Sequence, residues 1–209
     1  MKKIKKIFGP SQEEIWGQFA KEIDAYFENG SILETKEIVS KYDPWVITID
    51  TYTQSIGEIK TKYTRFSAPI INNNDFNFEI YRRNRFNNIE IKLGMQDINI
   101  GYPDFDRDFI IKGNDEDKIA ELFSSDRIRQ LINNQSNIRF KIIENKKWLG
   151  SSRPKDPDDL CLETNEVIKD IDILRELYML MILVLNKLSL MFPVEENISE
   201  LEIEEVGNI

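Results

Sequence analysis

Residues 45–70 read WVITIDTYTQSIGEIKTKYTRFSAPI, and this stretch decides the fold. Val46, Thr48 and Asp50 alternate with Trp45, Ile47 and Ile49. Past Gly57, Ile59, Thr61 and Tyr63 alternate with Lys60, Lys62 and Thr64. Successive side chains of an extended chain point to opposite faces, so a period of two marks a strand with two different sides. Gly57 between two such runs marks a hairpin turn.

The same period continues outward. Phe76, Phe78 and Ile80 alternate with Asn77, Glu79 and Tyr81, and Ile89, Ile91 and Leu93 with Glu90 and Lys92. The Asn- and Asp-rich segments at 72–75 and 87–88 supply turn chemistry. Short strands are also predicted over 98–100, 109–112 and 137–143, with 146–149 pairing back across Glu144-Asn145. Short strands joined by turns predict an antiparallel meander.

Helical periodicity flanks the strands. Ser11 and Glu14 form a capping box, followed by Ile15, Phe19, Ile23 and Phe27 on one face, which predicts a helix to about Glu28. Two short helices are predicted over 115–123 and 126–133, capped by Asn114 or Asp115 and by Ser124 or Ser125. Residues 150–159, GSSRPKDPDD, read as a loop. A long helix is predicted from about Thr164 to Met191, apolar nearly all round over 177–185. Such a helix needs cover on more than one side, from the sheet and the first helix or from a second chain. The fold class is therefore α+β: an antiparallel β-meander covered by an N-terminal helix and a long C-terminal helix. The 209 residues read as a single domain, with a basic N-terminal arm (1–10) and an acidic tail (194–209).

Composition removes several chemistries. The chain has no His and one Cys. That excludes a Ser-His-Asp triad, a Cys-His dyad, a zinc site with His ligands and a disulfide within the chain. The net charge of −9 argues against nucleic acid as a partner, because such binding needs a basic face that displaces counterions. Met1–Phe8 carries four Lys, but Ser11–Glu14 interrupts any apolar continuation, so it is not read as a secretory signal. The longest uncharged apolar run, 177–186, is about half of the ~20 residues a membrane span requires. A cytoplasmic protein with Cys161 reduced is expected.

Three constellations remain as candidates. Asp50 with Glu58 and Lys60 has the Asp…Glu-x-Lys layout of a metal-dependent nuclease, in which the two acids would hold Mg²⁺ and the lysine would sit by the attacking water. Glu90-Ile91-Lys92 repeats the pattern, so a solvated hairpin is the plainer reading. Asp104, Asp106 and Asp108 resemble the start of a calcium loop, but Phe109 stands where that loop needs Gly. The plainer reading is a solvated strand edge with Phe105 and Phe109 buried behind it. Arg82, Arg83 and Arg85, flanked by Tyr81 and Phe86, form a basic run that either contacts a partner or balances nearby acids. Leu177, Met181 and Val184 are the candidates for self-association through the long helix.

The blocks YTRFSAP (63–69), GMQDINIG (94–101) and FDRDFIIKGND (105–115) together resemble an uncharacterised family of bacterial proteins of unknown function. The resemblance is strong over about a third of the chain. It implies no activity, cofactor or catalytic residue. The expectation is a non-enzymatic binding or protein-interaction module without a cofactor. The nuclease, and a small-molecule or lipid pocket between sheet and helix, are the alternatives.

Overall fold

The computed structural model describes residues 9–28, 36–83, 97–144 and 157–193. The expected strands over 89–93 and 146–149, Arg85, and most of both charged termini lie outside these. The described strands are β1 (Tyr26–Glu28), β2 (Glu37–Tyr42), β3 (Trp45–Ile56), β4 (Ile59–Ile70), β5 (Phe78–Arg82), β6 (Phe109–Gly113), β7 (Ile138–Ile143) and β8 (Asp158–Thr164). They form one antiparallel sheet in the order β1-β2-β3-β4-β8-β7-β5-β6. The meander holds from β1 to β4. There β8 enters from the far end of the chain and joins β4 to β7.

The helices are α1 (Gln12–Glu22), α2 (Pro103–Asp108), α3 (Glu116–Leu122), α4 (Asp126–Asn133) and α5 (Ile171–Met191). The helix layer is built around α5, which packs against α1, α3, α4 and β4. Leu174, Leu177, Leu180, Met181, Val184 and Leu185 are fully buried along α5. Ile47, Ile49, Phe66, Ile80, Phe140 and Leu162 come up from the sheet to meet that layer in one core. The apolar width of α5 is thus covered within the chain by the sheet and by other helices. Leu177, Met181 and Val184, expected as self-association candidates, are core residues and present no surface to a second chain. Polar ties fix the layer in place: Trp16 Nε1 donates to the Ile168 carbonyl at 3.0 Å, and Ser40 and Tyr178 share a 2.6 Å hydroxyl bond.

Four predicted elements differ. The capping box forms, with Glu14 N donating to Ser11 Oγ and Ser11 N to Glu14 Oε2, but α1 stops at Glu22 and not near Glu28. Asp24 adopts a left-handed φ of 51°, a conformation a short polar side chain tolerates, and the chain turns into β1. Phe27, which fitted the helical period, lies on β1 and packs its ring over Gly17 of α1. The long helix begins at Ile171, not near Thr164, and residues 158–164, of which only 158–159 fall in the expected loop, are a central strand. Residues 104–108 are helical, not extended, and Phe105 and Phe109 stack at 4.7 Å one helical turn apart. Residues 98–100 lie outside the ladder, although Ile98 N donates to the Ile111 carbonyl on the β6 edge.

Candidate functional site

The registers put Asp50, Tyr52 and Gln54 of β3, Tyr63 and Arg65 of β4, Cys161 and Glu163 of β8, Arg139 and Lys141 of β7, and Tyr81 of β5 on the sheet face away from α5. This face is polar and extensively paired. Asp50 accepts two bonds from Arg65. Glu163 accepts from the Tyr52 hydroxyl at 2.7 Å and lies 3.4 Å from Lys141 Nζ. Arg139 Nε donates to Glu79 at 2.5 Å.

Strand lengths shape a notch on this face. The β8 ladder ends where Thr164 pairs with Thr64, and β2 ends where Glu37 pairs with Asp50. Past those points β3 and β4 pair only with each other, through Ile56 and Ile59, and project as a two-stranded arm. Gly57, at φ 60°, makes its tight turn. Tyr63 is the first β4 residue beyond the β8 ladder, and its ring stacks on Tyr52 at 5.1 Å and 13°. Between the base of the arm and the start of β7 lies a cavity of about 360 Å³. The arm contributes Tyr52, Gln54 and Tyr63 to its lining. The opposite side contributes Tyr81, Arg82, Arg83, Arg139 and Lys141, and Glu163 lies between.

The electrostatics favour holding over reacting. Burial pushes the Cys161 thiol up to about 12, with the Glu163 charge adding to the effect. A thiol so firmly protonated is a poor nucleophile near neutrality. Burial, then the hydrogen bond to Glu163, raises the Tyr52 hydroxyl above its ordinary value, so it serves as a donor.

The nuclease constellation does not assemble. Asp50 pairs in register with Arg65, whereas Lys60 pairs with Ser55. Five residues of strand separate those rungs, about 17 Å at ~3.3 Å per residue, and the alternation puts Lys60 on the other face from Asp50. Glu58 sits exposed in the turn of the arm. Asp104, Asp106 and Asp108 diverge as well. Asp106 accepts the backbone N–H groups of Ile100 and Tyr102, while Asp104 and Asp108 pair with Arg107. Among the described residues no group of three His, Cys, Asp or Glu is placed to hold a metal ion.

Of the basic run, Arg82 donates to the carbonyls of Asn133 and Gln135 and lies over the Phe109 ring at 4.6 Å. Arg83 pairs with Asp97 and donates to the Phe109 carbonyl. Both are structural, yet both also line the notch. The apolar pocket expected between sheet and helix is small: the recess bounded by Trp45, Ile70, Phe76, Leu185 and Phe192 holds about 140 Å³. The larger space is polar and lies on the opposite face. Sequence reasoning missed Tyr52, Tyr63, Tyr81, Arg139, Lys141 and Glu163 as a group. The available cue was an aromatic at a solvent-side strand position, as at Tyr52 and Tyr63.

Comparison of the chain with protein-family models, with curated proteins and with solved structures gives no match. Among the described residues no helix is long and apolar enough to cross a membrane.

Proposed function

We propose that this chain is a non-enzymatic binding module, a soluble cytoplasmic protein of a bacterial cell, that seats a small molecule in the notch beside the β3–β4 arm. One observation carries the reading: a cavity of about 360 Å³ beside the β3–β4 arm, lined by three tyrosines and four cationic side chains. That volume falls at the low end of the ~300–1,000 Å³ range of ligand pockets. The protonated Cys161 thiol and the dispersal of Asp50, Glu58 and Lys60 support binding over catalysis. The sequence blocks that resemble the bacterial family largely serve the fold. Asp97 accepts Ile111 N, Asp106 accepts Tyr102 N at the start of α2, and Asn114 joins 75–77 to the end of β6. Among the described residues of those blocks only Tyr63 lines the notch.

The test is a thermal-shift screen of the full chain against a metabolite library of mixed charge, with hits repeated on Tyr63→Ala. At least one compound should raise the melting temperature of the wild type and lose most of that effect in the variant. A screen without hits, or hits indifferent to Tyr63→Ala, removes the reading.

A further inference from the structure

We infer that the notch takes a small organic anion, a planar ring carrying a carboxylate or a phosphate, with the ring against Tyr63 and the acid group toward Arg83, Arg139 and Lys141. The inference rests on the binding-module reading and narrows it to a ligand class.

The walls differ in chemistry. On the arm side the Tyr52–Tyr63 stack offers a flat aromatic surface. Both rings border the cavity; Arg65 lies over the Tyr52 ring at 5.2 Å, whereas Tyr63 sits at the rung where β8 has ended, and Asn165 lines the same cavity. Aromatic faces of this kind hold planar ligand groups by offset stacking. Across the gap stand Arg82, Arg83, Arg139 and Lys141.

The acids that balance these cations are placed elsewhere. Glu79, Asp97 and Asp108 pair with Arg139, Arg83 and Arg82, and none of the three lines the cavity. Arg83 places Nη2 on Asp97 and the Phe109 carbonyl, and a guanidinium carries five N–H donors, so it can share a second anion. Among the described residues the one acid in the lining is Glu163, which is 9% exposed, accepts from Tyr52 and faces Lys141. Arg65 and Arg139 lie directly opposite it on the neighbouring strands. Its charge is therefore compensated, and it does not repel an incoming acid group. A cationic ligand would meet the guanidinium side. A purely apolar one would strip water from these polar walls and return no hydrogen bond.

Size and total charge limit the class from above. The cavity admits one ring system with one acid group. A polyanion would feel the whole chain, whose net charge is −9. A single small anion gains mainly from direct charge-assisted hydrogen bonds to the Arg and Lys donors of the lining, which act at contact range.

The experiment is an NMR chemical-shift titration of the full chain with four probes sharing one ring: 1-naphthoate, 1-naphthyl phosphate, the neutral 1-naphthamide and the cationic 1-naphthylmethylamine. Either or both anions should shift the amides of Tyr63 and Arg139 and bind about tenfold or more tighter than the amide, while the amine should be the weakest. Naphthyl phosphate ahead of naphthoate marks a phosphate ester as the natural ligand; the reverse marks a carboxylate. Arg139→Gln and Lys141→Gln should each weaken the anions severalfold without changing amide binding. If the neutral or cationic probe shifts the same residues with equal affinity, the ligand class is wrong and the notch survives as a binding site. If none of the four shifts Tyr63 or Arg139, the ligand class is overturned, and a library screen also without hits removes the binding module with it.

Discussion

Asp50 and Arg65 face each other across β3 and β4, and carboxylate and guanidinium are joined by two parallel hydrogen bonds, Nε to Oδ1 at 3.0 Å and Nη2 to Oδ2 at 2.5 Å. Asp50 is 15% exposed and Arg65 38%. This bidentate pair occupies the carboxylate that a metal would need. Asp50→Asn should cost about 1–2 kcal/mol in urea unfolding, the scale of a charge-assisted hydrogen bond. Millimolar Mg²⁺ should leave the wild-type midpoint unchanged. A clear rise with Mg²⁺ that vanishes in Asp50→Asn would revive the metal reading.

Trp16 is fully buried and gives its indole N–H to the Ile168 carbonyl. Trp16→Phe fills most of the space but strands that carbonyl in the core. The expected loss is about 1–3 kcal/mol, the cost of an unsatisfied buried acceptor. A urea midpoint equal to wild type would show that the tie between α1 and the lead-in to α5 contributes nothing.

Gly113 ends β6 where a Cβ would collide with the Asn77 carbonyl oxygen and with Ile119 Cδ1. One contact is backbone, so relief requires moving a strand end. Gly113→Ala should destabilise by about 1–3 kcal/mol, as overpacking does. Thermal unfolding reads it directly, and an unchanged melting temperature would contradict the close approach.

Leu177 is fully buried on α5. Leu177→Ala should cost about 2–5 kcal/mol by opening a core cavity. The melting temperatures of wild type and variant should also be independent of protein concentration, because the side chain packs within its own chain. A melting temperature that climbs with concentration in the wild type and loses that dependence in Leu177→Ala would place the residue at an interface between copies.

The Cys161 thiol is raised from an ordinary 9.0 to about 12, chiefly by burial. A raised folded value means the folded chain holds this proton more tightly than the unfolded one. The contribution is therefore complete below about pH 9 and is lost as pH climbs toward about 12. Tyr52, also raised, acts in the same direction above its ordinary value of 10.0. Stability should fall through this alkaline window, and Cys161→Ala should flatten part of the fall. Thiol labelling at pH 8 should be slow in the folded chain and fast in urea; rapid labelling of the folded protein would deny the burial.

Local patterns were legible in the sequence and distant convergence was not. The alternation at 45–70 and 138–142 depends only on neighbouring residues and gave β3, β4 and β7. Ser11 with Glu14, Asp115 and Ser125 marked helix starts that the structure keeps. β8 escaped notice because its apolar core is only Leu160-Cys161-Leu162, flanked by acids that normally mark a surface. Their partners are far off in sequence: Asn72 donates to Asp158, and Tyr52 to Glu163. The end of α1 was missed because Phe27 satisfies the helical period while lying on a strand. The notch joins residues from 52–63, 81–83, 136–141 and 163–165, and no spacing rule links those segments.

The position of β8 has a consequence for how the molecule assembles. Phe66 and Leu162 are partners across the middle of the sheet, yet they lie almost a hundred residues apart in the chain. Closing so long a loop costs entropy before any contact repays it. Until β8 docks, β4 and β7 are both open edges, able to recruit a strand from another molecule. The slowest step in folding should then be the zipping of this central seam, with aggregation as its competitor while the seam stays open.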